Sequence, residues 1–299
     1  MNMKKMSMIV FAAILAISVF MPAKASADAV TGDVVVTLGA NLTAAQKQSI
    51  LNEMGVDPDS AQIITVNNSE EHKYLDNYLS SAQIGTRALS SSKITIGKSG
   101  SGLTASTHNI TYVSKDMYIN ALATAGVKDA DVYVTAPFPV SGTAALTGLI
   151  KAYEAKTGEV IPEAKKQVAN EEVVTTAELA NQDGVGKQKA ADLVTAIKDN
   201  LAKNKPQSRA DVEQAVRDSA NQVNVKLSDA DIQKLVDLFD KMRTLHIDWG
   251  QVGSQMQQLK DKVNQLANSG ETKGFLAKVF QAIGDFFSSI FNAIASLFQ

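Results

Sequence analysis

The sequence predicts an α/β (α+β) N-terminal domain built on a mixed sheet, followed by an all-helical region and a C-terminal amphipathic helix. Three observations carry this expectation. Up to about Thr157, short β-rich runs alternate with helical patterns, the order that gives a sheet covered by helices. Between Tyr153 and Phe239 there is no aromatic residue, and almost every periodic segment reads as helix. Finally, six of the ten phenylalanines fall within residues 275–298 at helical spacing. The divisions implied are 1–27, 28–157, 158–270 and 271–299.

Residues 1–27 read as a signal peptide. Lys4 and Lys5 precede a nearly unbroken apolar run over residues 7–21, and Ala25-Ser26-Ala27 supplies the small residues that a signal peptidase requires. That run is short for the ~20 residues of a membrane span, so cleavage after Ala27 and secretion are expected. There is no cysteine, which removes lipoprotein attachment and disulfides and leaves the exported chain to rely on its core. Loss of Lys4, Lys5 and Lys24 takes the formal charge from −2 to −5, which disfavours attraction to nucleic acid.

The first strand is expected over residues 33–38. Thr43 then caps a helix over 44–54 with Ile50, Leu51 and Met54 on one face. A strand over 61–66 leads to a helix opened by Ser69 and running through Tyr78. Residues 93–97 and 103–113 flank the glycine-rich stretch 97–102 and read as an antiparallel hairpin. A helix over 115–125, a strand over 131–135 and a helix over 143–153 complete the domain.

Along this stretch LGANLT, EEHKYL, IGTRALSS, NITYV, MYINALATAGV and APFPVSGTAALTGLIKAYE occur in turn. In these motifs the chain resembles the YpuA-like family of secreted proteins from Gram-positive bacteria, a domain of unknown function. The resemblance implies an extracytoplasmic protein with an α/β N-terminal region, and supplies no catalytic residues.

Among candidate sites, Gly97-Lys98-Ser99 echoes a phosphate-binding loop, but Ser92 stands where that motif requires glycine and strand-forming residues follow. A turn is the better reading. The stretch 136–142 joins a strand to a helix, and the free N–H groups at Ser141, Gly142 and Thr143 suit an anion or carboxylate. This is the best small-molecule site, with Asn109 and Tyr118 beside it and Gly142 expected at the surface. The competing reading makes Ser141 or Thr143 a simple helix cap. His72, His108 and His246 fall on three different elements, with neither metal-ligand spacing nor the context of a catalytic triad. No catalytic residue, metal or cofactor is therefore assigned. An extracytoplasmic enzyme with its pocket near Ser141 remains the alternative class.

In the helical region, Thr175 with Glu178, Ser208 with Asp211 and Ser228 with Asp231 have capping-box spacing and mark helix starts. Leu179, Gly184-Val185-Gly186 and Ala190 echo a DNA-binding helix-hairpin-helix. Lys187 and Lys189 are balanced by Asp183 and Asp192, however, and a tight interhelical turn is adopted. Trp249, Val252, Met256, Leu259, Val263 and Leu266 form a two-in-seven seam that requires a partner helix, in this chain or across a dimer.

In the tail, Phe275, Leu276, Val279, Phe280 and Ile283 recur eleven residues later as Phe286, Phe287, Ile290, Phe291 and Ile294, and Leu297 and Phe298 begin a third round. Eleven residues make three helical turns, so all of these side chains share one face. Left in water, each would forgo roughly 1.5–3 kcal/mol. Asp285 and an unpaired polar stripe make a lone membrane span costly. The expected cover is a membrane surface, a second copy, or the protein's own core, and the Ser- and Asn-rich polar face favours lipid packing or self-association.

Overall fold

A computed structural model describes residues 30–268. The segment read as a signal peptide and the tail lie outside the described residues. Five strands, Val34–Gly39 (β1), Gln62–Val66 (β2), Ser91–Ile96 (β3), Leu103–Ile110 (β4) and Ala130–Val140 (β5), form one sheet in the order β2-β1-β3-β5-β4. β1 is parallel to β2 and antiparallel to β3, while β5 is antiparallel to β3 and parallel to β4. The expected mixed sheet is present.

The hairpin is not. β3 and β4 lie on either side of β5, which is inserted between the arms. Val132 and Val134 are fully buried, so β5 belongs inside the sheet, and a strand that far along the chain is invisible to local turn chemistry. The glycine-rich stretch spans the gap and is pinned to the start of β5. Gly97 N–H donates to Asp129 O at 2.6 Å, and Gly102 N–H donates to the Asp129 carboxylate at 2.7 Å.

Ala44–Glu53 (α1) opens as expected, with Thr43 and Gln46 forming a capping box. It covers one sheet face, packing Ile50, Leu51 and Met54 on Val36 and Leu38. Asn68–Leu75 (α2) differs in its bounds. Asn67, rather than Ser69, accepts the Glu70 N–H and so sets the start. At the far end the chain tightens, with Tyr78 N–H on Leu75 O, and Ser81–Ile84 (α3) follows.

Lys115–Ala125 (α4) and Thr143–Thr157 (α5) cover the other face. α5 comes close to the sheet because residue 148 is glycine. A Cβ there would lie 2.4 Å from the Thr37 hydroxyl.

The remaining helices are Glu163–Ala180 (α6), Gly186–Asn204 (α7), Arg209–Gln222 (α8), Asp229–Thr244 (α9) and Trp249–Asn268 (α10). Ser208 and Ser228 open α8 and α9 with their expected capping boxes. Thr175 opens nothing. It lies inside α6, whose Val168, Val173 and Ala177 join the main core while Val174 packs with Leu75 and Leu79. Burial on several sides holds the helix continuous through a capping-box sequence, a case of packing overriding a local signal. Gly184 and Gly186, both at positive φ, make the turn from α6 into α7. Val252 and Met256 of the seam are buried, and α10 packs on α7 of the same chain. The side chains of Val263 and Leu266 lie outside the described residues.

One cluster of buried residues runs from Val35 and Val132 through Leu122 and Leu149 to Ile197, Phe239 and Met256. Inside it lies an ion pair. Lys198 of α7, 0% exposed, meets Glu172 of α6 at 2.6 Å and donates to Asn120 O of α4 at the same distance. The Thr124 hydroxyl supplies the carboxylate's other oxygen with a donor at 2.5 Å. Burial pushes the Lys198 ammonium below the ordinary lysine range, and the Glu172 charge opposes that shift.

Candidate functional site

The strand-to-helix junction singled out from sequence is built by β5, α5 and α2. Gly142, with φ of 93°, is the residue that caps α5, and no side chain caps it. The free end of the helix is met instead by a carboxylate from within the protein. Glu71 of α2, 2% exposed, accepts from the Thr143 hydroxyl, from the Ala144 N–H and from Asn68 Nδ2. A helix N-terminus favours an anion, and here a buried side chain supplies it. Desolvation raises the Glu71 carboxyl above its ordinary value, with the Thr143 and Asn68 hydrogen bonds opposing the rise.

The other predicted site residues surround this junction. Ser141 Oγ lies 3.0 Å from Thr143 Oγ1. Tyr118 is fully buried and donates its hydroxyl to Gly142 O at 2.6 Å. Asn109 adopts a left-handed φ of 57° at an irregularity between β4 and β5, and its amide donates to Ala136 O at 2.9 Å. Asn109 therefore fixes the backbone at Ala136, six residues before the Gly142 cap. Gly142 is buried, contrary to the surface position expected for it. A Cβ there would lie 2.4 Å from Ile110 Cγ2 and 2.5 Å from the Tyr118 hydroxyl.

Beside Ser141 and Thr143 is a cavity of about 210 Å³, completed by Leu79, Gln83, Thr111 and Tyr112. Burial, with the Glu178 charge adding to it, pushes the Tyr112 hydroxyl up to about 12. This lining can offer neutral hydrogen bonds and apolar contact to a small molecule.

The three histidines stay apart. His72 bridges Asp76 and Gly85 O, and His246 sits in a turn with φ of 51°. His108 joins a cluster that sequence reasoning missed. Glu53, at the end of α1, accepts from Tyr133 at 2.5 Å, from Thr135 at 2.8 Å and from His108 at 2.8 Å. Burial acts to raise the Glu53 carboxyl, and the three hydrogen bonds together hold it below its ordinary value. The legible signal was the alternation of β4 and β5, which puts His108, Tyr133 and Thr135 on one face. What was not legible is that Glu53 would arrive there from 55 residues away. The helix-hairpin-helix lysines are engaged within the protein, Lys187 reaching Thr111 O after β4 and Lys189 the nearby Gly184 O.

Fold and site together define an α/β protein with a five-stranded mixed sheet, an attached helical array, and a small cavity beside a carboxylate-closed helix start. The chain belongs to the family described as Protein of unknown function (DUF1002), which matches residues 38–259. It is 55% identical over 279 residues to the uncharacterized protein YpuA of Bacillus subtilis (strain 168), covering 93% of this chain and 94% of that protein. The membership agrees with the resemblance carried by the APFPVSGTAALTG stretch. No solved structure matches the chain.

Proposed function

We propose that this is an exported, non-catalytic binding protein of the cell envelope, held at a membrane surface by its C-terminal segment. One observation carries the reading. Among the described residues the large exposed hydrophobics are Val30, Phe138 and Val160, on three separate parts of the chain. Single exposed apolar residues form no patch able to cover twelve apolar side chains, so an outside cover fits the tail better than the body does. Interfacial helices with a large apolar face and a polar, weakly charged one bind lipid in this way.

Vesicle co-sedimentation of the full-length chain beside Phe286→Ser/Phe287→Ser tests the reading. Lipid binding by the wild type, lost in the double variant without loss of stability, supports it. A wild type that ignores every vesicle composition, or one that only self-associates, overturns it. The second reading, an extracytoplasmic enzyme, would have its pocket in the cavity beside Ser141. Its lining of hydroxyls, an amide and apolar groups favours binding over turnover.

A further inference from the structure

The cavity of about 210 Å³ beside Ser141 is walled by Leu79, Gln83, Thr111, Tyr112, Ser141 and Thr143, and the bonds these groups already make fix what each has left to offer. The Thr143 hydroxyl donates to Glu71. Its oxygen can then only accept from Ser141 Oγ, 3.0 Å away, so Ser141 gives its proton there and keeps lone pairs alone. Thr111 donates its hydroxyl to Val140 O at 2.9 Å and likewise keeps lone pairs. Gln83 has the opposite character. Its Oε1 accepts from the Ser80 N–H at 3.0 Å and the Ser80 hydroxyl at 2.7 Å, while its Nε2 makes no hydrogen bond among the described residues.

Tyr112 is the wall group that points to a ligand. It is half-buried, and burial pushes its hydroxyl up to about 12, yet that hydroxyl has no hydrogen-bond partner among the described residues. It is not one of the sealed, orphaned atoms of the interior, so it stays accessible, with a proton to donate and lone pairs to accept. A tyrosine hydroxyl drawn away from water usually finds a partner.

No charged side chain lines the cavity. Charges of both signs stand just behind its walls: Glu71 behind Thr143, Glu178 near Tyr112, and Lys187 on Thr111 O. An ion of either sign would meet a like charge close by and find no opposite charge on the wall. A neutral molecule avoids that conflict. To match the walls it needs donors for the Ser141 and Thr111 oxygens, an acceptor for Gln83 Nε2, and an apolar face for Tyr112 and Leu79. Adjacent hydroxyls on a saturated ring supply all of these, because each hydroxyl donates and accepts while the ring C–H groups form the face. The volume falls below the roughly 300–1,000 Å³ of most ligand pockets, which limits the occupant to a single ring.

We propose that this cavity binds one neutral sugar ring, either a free monosaccharide or the end unit of a glycan. The inference names a ligand class for the binding-protein reading and rests on the binding part of it; the tail and the membrane play no role.

Calorimetric titration of the full-length protein, without lipid, tests it with glucose, galactose, mannose and N-acetylglucosamine, and with glucuronate and glucosamine as charged controls. At least one neutral sugar is expected to bind saturably, and the charged rings roughly tenfold or more weakly. Maltose and chitobiose present a ring at a chain end. Binding tighter than that of the monosaccharide assigns the glycan source, and equal or weaker binding the free sugar. Tyr112→Phe removes a hydroxyl that no protein group uses, and Gln83→Glu keeps the acceptor for Ser80 while removing the donor. Each is expected to leave Tm unchanged and to weaken binding about three- to tenfold. Absence of saturable binding by every neutral sugar, charged rings that bind equally well, or unchanged affinity in both variants would each overturn the proposal. A chain that sediments with vesicles but takes no sugar sinks this site alone, and one that takes sugar but ignores vesicles sinks the membrane reading alone.

Discussion

Glu71 stands where a bound anion would stand at the start of α5, and its burial makes the charge expensive to keep. Because desolvation raises its carboxyl, the folded chain holds that proton more tightly than the unfolded chain. The group's contribution is therefore most favourable below the unfolded value and is lost as pH rises through the raised folded one. Glu71→Gln carries no such charge. Denaturant melts should show the variant gaining on the wild type as pH is raised from about 4 to about 7. A constant difference between the two would mean that Glu71 is not titrating in this way. Gly142 is tested by bulk as well as by charge. Gly142→Asp places a side chain at φ of 93° against Ile110 and Tyr118, and should cost at least about 3 kcal/mol in the same melts.

The helices are held to the sheet domain by packing and by one buried charge pair. Glu172 of α6 and Lys198 of α7 are both essentially inaccessible, and Lys198 also reaches α4. Removing one partner strands the other charge in the core. Lys198→Met should destabilise the chain by about 3–5 kcal/mol. Replacing both, as Lys198→Met with Glu172→Leu, should recover most of that loss, because the apolar pair needs no counter-charge. Chemical denaturation of the two variants checks the order, and a double variant weaker than the single one would contradict it. The exposed bridge from Arg217 to Glu213 along α8 belongs to the class worth well under about 1 kcal/mol. Counting such pairs says little about what joins these helices.

For the whole molecule, export and attachment are tested at the two ends. Protein recovered from culture medium should begin at Asp28, read by N-terminal sequencing, because Ala25-Ser26-Ala27 follows a full apolar run. Recovery with Met1 would remove the export argument. The vesicle assay on Phe286 and Phe287 addresses the other end. Both concern segments flanking a body whose main core joins the sheet to α7, α9 and α10.

The alternation of β-rich and helical runs determined the strands and helices, because side-chain period and capping chemistry are local. Thr43, Ser208 and Ser228 each cap the helix that the sequence marks for them. The sequence also placed Ser141, Gly142 and Tyr118 close to one junction. Only the tertiary structure decided that β5 separates β3 from β4, that Thr175 lies within a continuous helix, and that Glu71 closes the start of α5. It alone brought Glu70, Lys73, Lys151, Glu154, Glu163 and Lys166 together in three ion pairs, from three stretches of chain between residues 70 and 166. Strand order, buried pairing and cavities depend on which distant surfaces meet, and contact energy between segments far apart in sequence leaves no periodic trace in either one.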